Sequence, residues 1–224
     1  MPTGFPPARR SLRAGIGGLI LLALGGLLTN SAIARTATPH KTGHVYLMRG
    51  LFNMFSLGMD DLAAKLQKVG VKAEAVPYTS WSSLADSITA EFRAGNREPI
   101  ILMGHSYGAD TTISLARKLN ENRIPVVLIV NFDPTAPDRV PPNVRRIINF
   151  YVPTDWGQPV EPGKKFRGRL SNLDESGKHG HFEIDKADEL HRKAIAAVLQ
   201  AVGRGAPRVK RPARHDQISE APAQ

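Results

Sequence analysis

After residue 43 this chain repeats one short apolar pattern: "VYLM" at 45–48, "PIILM" at 99–103, "VVLIV" at 126–130 and "IINFYV" at 147–152. Runs this short, with no polar side, suit strands covered on both faces. The stretches between them have a different rhythm. "LGMDDLAAKLQKVG", "SLADSITAEFRAG" and "GADTTISLARKLNEN" place apolar residues near helical spacing, and two of them stop at a glycine. Parallel strands need a crossover of a dozen or more residues, and a helix supplies it, so the alternation predicts βαβ units. The predicted strands are "HVYLMRG", "VKAEAVPY", "PIILMG", "VVLIVNF" and "RIINFYV". After a Pro-, Gly- and Lys-rich loop over 154–168, "RLSNLD" adds one more short strand, and "KADELHRKAIAAVLQAV" predicts a last helix. The fold class expected is α/β, a mostly parallel sheet flanked by helices with no large cap. At 224 residues and 42% hydrophobic content the chain can bury one sizeable core but not two.

The net charge of +10 raises the question of a nucleic-acid partner, and its placement argues against one. Arg9, Arg10, Arg13 and Arg35 give residues 1–35 a charge of +4. Residues 203–224, with five basic and two acidic residues, give +3, which leaves +3 for everything between. The basicity belongs to the two ends, as in solvated tails. Residues 1–34 read as a signal peptide: a basic start, the apolar "AGIGGLILLALGGLL", and small residues at Ala32 and Ala34 in the spacing that signal peptidase cleaves. An uncleaved membrane anchor is the alternative, although the apolar stretch is short of the ~20 residues that span a bilayer. Arg9-Arg10 partly resembles a twin-arginine signal. The division expected is therefore a signal peptide over 1–34, one domain over 35–202 and a disordered basic tail over 203–224. The location expected is the periplasm or outside the cell. The absence of cysteine excludes a disulfide-stapled module.

The chemistry gathers at "PIILMGHSYGAD", residues 99–110, where Gly104 and Gly108 flank Ser106 in a G-x-S-x-G pattern. The serine closes a predicted strand and opens a predicted helix, the setting of a nucleophile elbow. A turn this tight leaves no room for side chains two residues either side of the serine. It also puts the Tyr107 N–H at a helix N-terminus, facing the place where an oxyanion would form. "GHSYGA" after an apolar strand resembles the α/β-hydrolase superfamily, in particular its small thioesterase- and lipase-like members, over roughly residues 43–202.

That resemblance implies a serine nucleophile, an acid and a histidine in this chain order. It makes Ser106 the nucleophile and gives the oxyanion hole to Tyr107 N–H and, in "MRGLF" after the first strand, to Leu51 N–H. Many relatives carry a histidine where this chain has Arg49. Two acids follow strand ends: Asp133 in "NFDPTAP" and Asp155 in "YVPTDWG". Asp133 is favoured, because a carboxylate abutting a buried strand requires a partner, and Asp155 is the alternative. Among seven histidines, His40 and His215 lie near the ends, His44 starts a strand, His105 belongs to the elbow but points elsewhere, and His191 sits in the last helix in an exposed structural role. His181, in "SGKHGHFEID", is where the family places its base, with His179 as fallback. Nothing in the sequence calls for a metal or another cofactor. The function expected is an exported serine esterase or thioesterase acting on a small acyl substrate. A peptidase or amidase with the same triad, or a binding protein that keeps the fold, are the alternatives, and contact with an anionic membrane surface is compatible with any of them. The loop 154–178 is the expected cover of an acyl pocket shaped with Phe52, Met54 and Phe55.

Overall fold

A computed structural model describes residues 43–51 and 57–203. The expected signal peptide and the expected tail beyond residue 203, with His40, His215, Phe52, Met54 and Phe55, lie outside the described residues. Six strands form one sheet: β1 (His44–Arg49), β2 (Lys72–Pro77), β3 (Ile100–His105), β4 (Leu128–Phe132), β5 (Arg146–Tyr151) and β6 (Arg169–Asp174). Their order is β2-β1-β3-β4-β5-β6, and every neighbouring pair is parallel. The helices are α1 (Leu57–Lys68), α2 (Trp81–Arg93), α3 (Tyr107–Glu121) and α4 (Asp188–Ala201). The expected α/β class and its elements are therefore observed, with the sheet wholly parallel among the described residues. None of the described helices is long and apolar enough to cross a membrane.

Strand periodicity sorts each apolar run between two layers. Val45 and Leu47 of β1, Ile101 and Met103 of β3, and Val130 and Phe132 of β4 pack with α1 and α4. The intervening Tyr46, Met48, Ile100, Leu102 and Ile129 pack with α2 and α3. Burial on both faces is why these strands read as continuous apolar runs. Three asparagines interrupt them at one level of the sheet: Asn131 on β4 aligns with Asn149 on β5, which aligns with Asn172 on β6. Asn131 and Asn149 are fully buried, so each must be bonded. Asn131 Nδ2 donates to Ala109 O, and Thr112 Oγ1 donates to Asn131 Oδ1. Asn149 Nδ2 donates to Gln158 O and to Asn172 Oδ1, and Asn172 in turn exchanges bonds with the Val160 backbone. The row thus ties the start of α3 and segment 158–160 to the sheet.

A wholly parallel sheet has one C-terminal edge. β1, β3, β4 and β5 deliver Arg49, His105, Phe132 and Tyr151 to it, and the loops that follow carry the residues singled out above.

Candidate active site

The elbow is built as its glycines require. Ser106 has φ 57° and ψ −128°, a conformation costing a non-glycine residue on the order of 1–3 kcal/mol. Its N–H donates to Phe132 O at the end of β4 (3.0 Å). A Cβ at position 104 would stand 2.3 Å from Gly108 O, and one at 108 would stand 2.1 Å from Met48 O. Gly104 thus lets α3 start against its own strand, and Gly108 lets α3 cross the end of β1. The hydroxyl is lifted to the sheet edge, with 7% of the residue exposed. Tyr107 is the first residue of α3, so its N–H has no acceptor within the helix.

The next contacts come from the loops after β4 and β6. Asp133 is fully buried, at φ 54°. Its Oδ1 accepts from Val152 N–H at 2.6 Å, and its Oδ2 lies 2.6 Å from His181 Nδ1. Facing a carboxylate, Nδ1 carries the ring proton, which leaves Nε2 as acceptor for the Ser106 hydroxyl at 3.0 Å. Ser106, His181 and Asp133 are therefore brought together in one hydrogen-bonded line. Gly157 makes room for it, since a Cβ there would fall 1.7 Å from Asp133 Oδ1. The pattern that could have flagged Gly157, "TDWG" after a strand, reads locally as an ordinary turn.

Asp155, the alternative acid, meets the same histidine at its backbone: its Oδ2 accepts from His181 N–H at 2.9 Å. On the other side of the same residue, His105 Nε2–H donates to His181 O at 2.8 Å. His105 does point away from the serine, as expected, but towards the loop that carries His181. His191 is buried rather than exposed, because its face of α4 is turned to the sheet. It donates from Nε2 to Asp185 O at 2.6 Å, and its Nδ1 faces Lys65 Nζ at 3.0 Å. Lys65 Nζ also lies 2.6 Å from both Asp61 and Asp188, so an ammonium stands amid the acidic group on α1 and α4. His179 turns away, to within 2.6 Å of Glu189.

Behind the triad lies a buried pair that local sequence gives no sign of. His105 Nδ1 is 3.8 Å from Asp185 Oδ2, and both residues are shut off from solvent. Burial lowers the His105 pKa to about 3 and raises that of Asp185 to about 7. Both shifts favour the neutral form, so this contact is a neutral pair across acidic pH rather than a salt bridge.

A pocket of about 860 Å³ opens over Ser106 and His181, lined also by Leu51, Tyr107, Trp156 and Phe182. Trp156 and Phe182 flank the imidazole, with ring centroids 4.9 and 5.2 Å from it. Both are partly exposed, as are Leu51 and Tyr107, which gives the mouth an apolar rim. Of the predicted cover over 154–178, only Asp155, Trp156 and Gln158 reach the pocket. The rest differs from expectation because Val160 and Phe166 are drawn into the core on the α2/α3 side, and 169–174 is strand β6. Arg49 binds Asp60 of α1 through Nε and Nη2 at 2.8 and 2.6 Å. That bond holds the Asp60 carboxyl below its usual pKa and pins the end of β1 to α1.

Comparison with known proteins agrees with this architecture. Residues 60–147 match the model of the thioesterase domain family. The type II thioesterase BorB from the borrelidin biosynthetic cluster superposes with a TM-score of 0.53 at 15% identity, covering 78% of this chain and 96% of that one. Weaker overlaps link the chain to the type II thioesterase YbtT of the yersiniabactin pathway (TM-score 0.43, 11% identity, 75% of this chain and 95% of that one). Another is a hydrolase of the α/β superfamily from Xanthomonas campestris pv. campestris (TM-score 0.39, 18% identity, 71% and 99%). No curated protein matches the sequence. The chain has the α/β-hydrolase fold.

Proposed function

We propose that this protein is a serine hydrolase that cleaves an acyl ester or thioester through an acyl-enzyme on Ser106. The observation that carries the reading is the line Ser106 Oγ, His181 Nε2, His181 Nδ1, Asp133 Oδ2, with steps of 3.0 and 2.6 Å at the polar end of an apolar-rimmed pocket. The match of residues 60–147 to thioesterase domains supports the choice of acyl substrate. In the first step His181 Nε2 takes the Ser106 proton as Oγ attacks the acyl carbon, and Asp133 stabilises the imidazolium. The N–H groups of Tyr107 and Leu51 are the donors for the oxyanion. His181 then returns the proton to the departing alcohol or thiol, and a water activated by the same Nε2 releases the acid. The side chains named suffice for this chemistry without a cofactor. The acyl chain lies against Leu51, Trp156 and Phe182.

The test is labelling with a fluorophosphonate probe, followed by a panel of acyl esters, thioesters and amides of graded chain length. Ser106→Ala should abolish labelling and lower turnover by on the order of 10³- to 10⁶-fold while the melting curve is kept. Equal labelling of the two proteins would reject Ser106 as the nucleophile, the absence of both labelling and turnover in wild type would leave the binding-protein reading, and turnover confined to amides would make it an amidase. Export belongs to the same proposal, resting on the basic start, the apolar core and the Ala32–x–Ala34 spacing of the sequence. Mass spectrometry of protein from its native host should find Arg35 first. A full-length chain in the membrane fraction would instead mean an anchor.

A further inference from the structure

The opposite edge of the sheet, where the strands begin, carries a second cleft of about 640 Å³. Its walls are Arg145 and Arg146 entering β5, Arg167 and Arg169 entering β6, and Gln200 at the end of α4, over an apolar floor of Val127, Leu128 and Ala201. The strands run six residues from this edge to the other, which puts the cleft roughly 20 Å from the serine. Four arginines line one cleft because the chain brings their backbones close, with Arg167 Nη1 donating to Phe166 O at 2.8 Å. Arg146 and Arg169 are register partners on adjacent strands, and Arg169 N–H donates to Arg145 O. Gly168 allows that approach, since a Cβ there would stand 2.5 Å from Val144 O.

Like charges placed directly opposite each other across a sheet are destabilising. The protein does not offset them with acids: among the described residues, no carboxylate lies within ion-pairing distance of any of the four. Arg146 Nη1 donates to Gln200 Oε1 at 2.9 Å, but its Nε is buried and has no acceptor. Of the other exposed arginines among the described residues, Arg117 finds Asp138 and Arg139 finds Glu161, whereas Arg93, Arg97, Arg123 and Arg192 form no ion pair; what sets the four apart is that they line one cleft. A cleft with four unneutralised forks, a donor shut away from water and an apolar floor has the make-up of an anion site. Guanidinium forks match phosphate oxygens two at a time, and four of them exceed what a single carboxylate needs.

We infer that this cleft binds a phosphate ester or pyrophosphate group, borne either on a soluble molecule or on a lipid headgroup, independently of the serine site. The probes are sodium pyrophosphate in calorimetric titration, and cosedimentation with phosphatidylcholine vesicles with and without phosphatidylglycerol, all on the full-length chain. The basic ends of the chain also attract anions, so the comparison is between wild type and the Arg146→Gln/Arg169→Gln double variant, which keeps those ends. At least tenfold weaker pyrophosphate binding by the variant would identify a soluble phosphate ligand. Loss of cosedimentation with the anionic vesicles alone would identify the headgroup. Ester turnover should stay within about twofold of wild type. Arg145→Gln/Arg167→Gln, which removes charges that are not register partners, serves as a second variant should the first fold poorly. If neither variant differs from wild type with either probe, or if wild type binds neither, the inference is wrong.

Discussion

Asp133 and Asp155 are both bonded to His181, and what separates them is which part of the histidine each one holds. Asp133 faces the imidazole and fixes its tautomer, whereas Asp155 faces the backbone N–H and fixes the position of the residue. Asp133→Asn should therefore fold yet lose about 10⁴-fold in kcat, because an amide NH₂ at that point favours the wrong tautomer. Asp155→Asn keeps an oxygen able to accept from the backbone and should stay within about tenfold, consistent with the modest net worth of one such bond. Esterase kinetics on the two variants decide the matter, and a dead Asp155→Asn beside an active Asp133→Asn would exchange the roles. Gly157→Ala offers an independent check on the same carboxylate. Its methyl falls on Asp133 Oδ1, so turnover should drop at least a hundredfold with no residue of the triad altered.

Between the residue and the fold stands the asparagine row across β4, β5 and β6. Asn149 is the middle member, and through Gln158 O and Asn172 it anchors the segment that follows Trp156. Asn149→Ala strands the acceptors it served in a buried layer, a loss of about 1–3 kcal/mol. The expected result is a lower melting temperature together with a raised KM, since the Trp156 wall loses its tether, while kcat is nearly kept. A fall in kcat at unchanged KM would mean that the row supports the triad rather than the pocket. The α3 N-terminus is tied in a similar way: Asp110 accepts from the N–H groups of Thr135 and Ala136, joining the elbow to the loop that carries Asp133. Burial raises the Asp110 pKa, so this tie weakens as acid neutralises it.

At the scale of the whole molecule, the buried His105–Asp185 pair shapes how stability varies with pH. The histidine falls from 6.5 to about 3 on folding, so the unfolded chain binds the extra proton between those values and stability is lost as pH drops through them. The aspartate rises from 3.8 to about 7, so the folded protein holds the extra proton and stability is lost as pH climbs through that window. Over their common range the two slopes oppose each other, and wild-type stability should vary little on their account. Asp185→Asn removes one slope. Relative to wild type, the variant should gain on the order of 2–4 kcal/mol between pH 4 and pH 8, read from urea denaturation at the two values. A constant difference between the proteins would show that Asp185 does not titrate across that interval.

Much of this protein could be read from its sequence because the relevant physics is local. Apolar runs broken by helical patterns dictated a parallel sheet, since burial on both faces leaves its mark on every strand. The elbow was visible because strand, glycine, serine, glycine and helix are consecutive, and the steric demand of a tight turn falls on neighbours in the chain. That Ser106, His181 and Asp133 belong to one site was implied by the family resemblance, which also pointed to the histidine. Tertiary structure decided what local sequence does not encode. Asp155 became an acceptor for a backbone N–H and His191 a buried donor because the loop after β5 and helix α4 both meet the residue 181–185 segment. Gly157 acquired its role from a carboxylate 24 positions away in sequence. Arg145, Arg146, Arg167 and Arg169 look like scattered surface charge until β5 and β6 pair. Side-chain burial, partner and pKa are set by atoms from distant segments, and only the packed chain brings those atoms together.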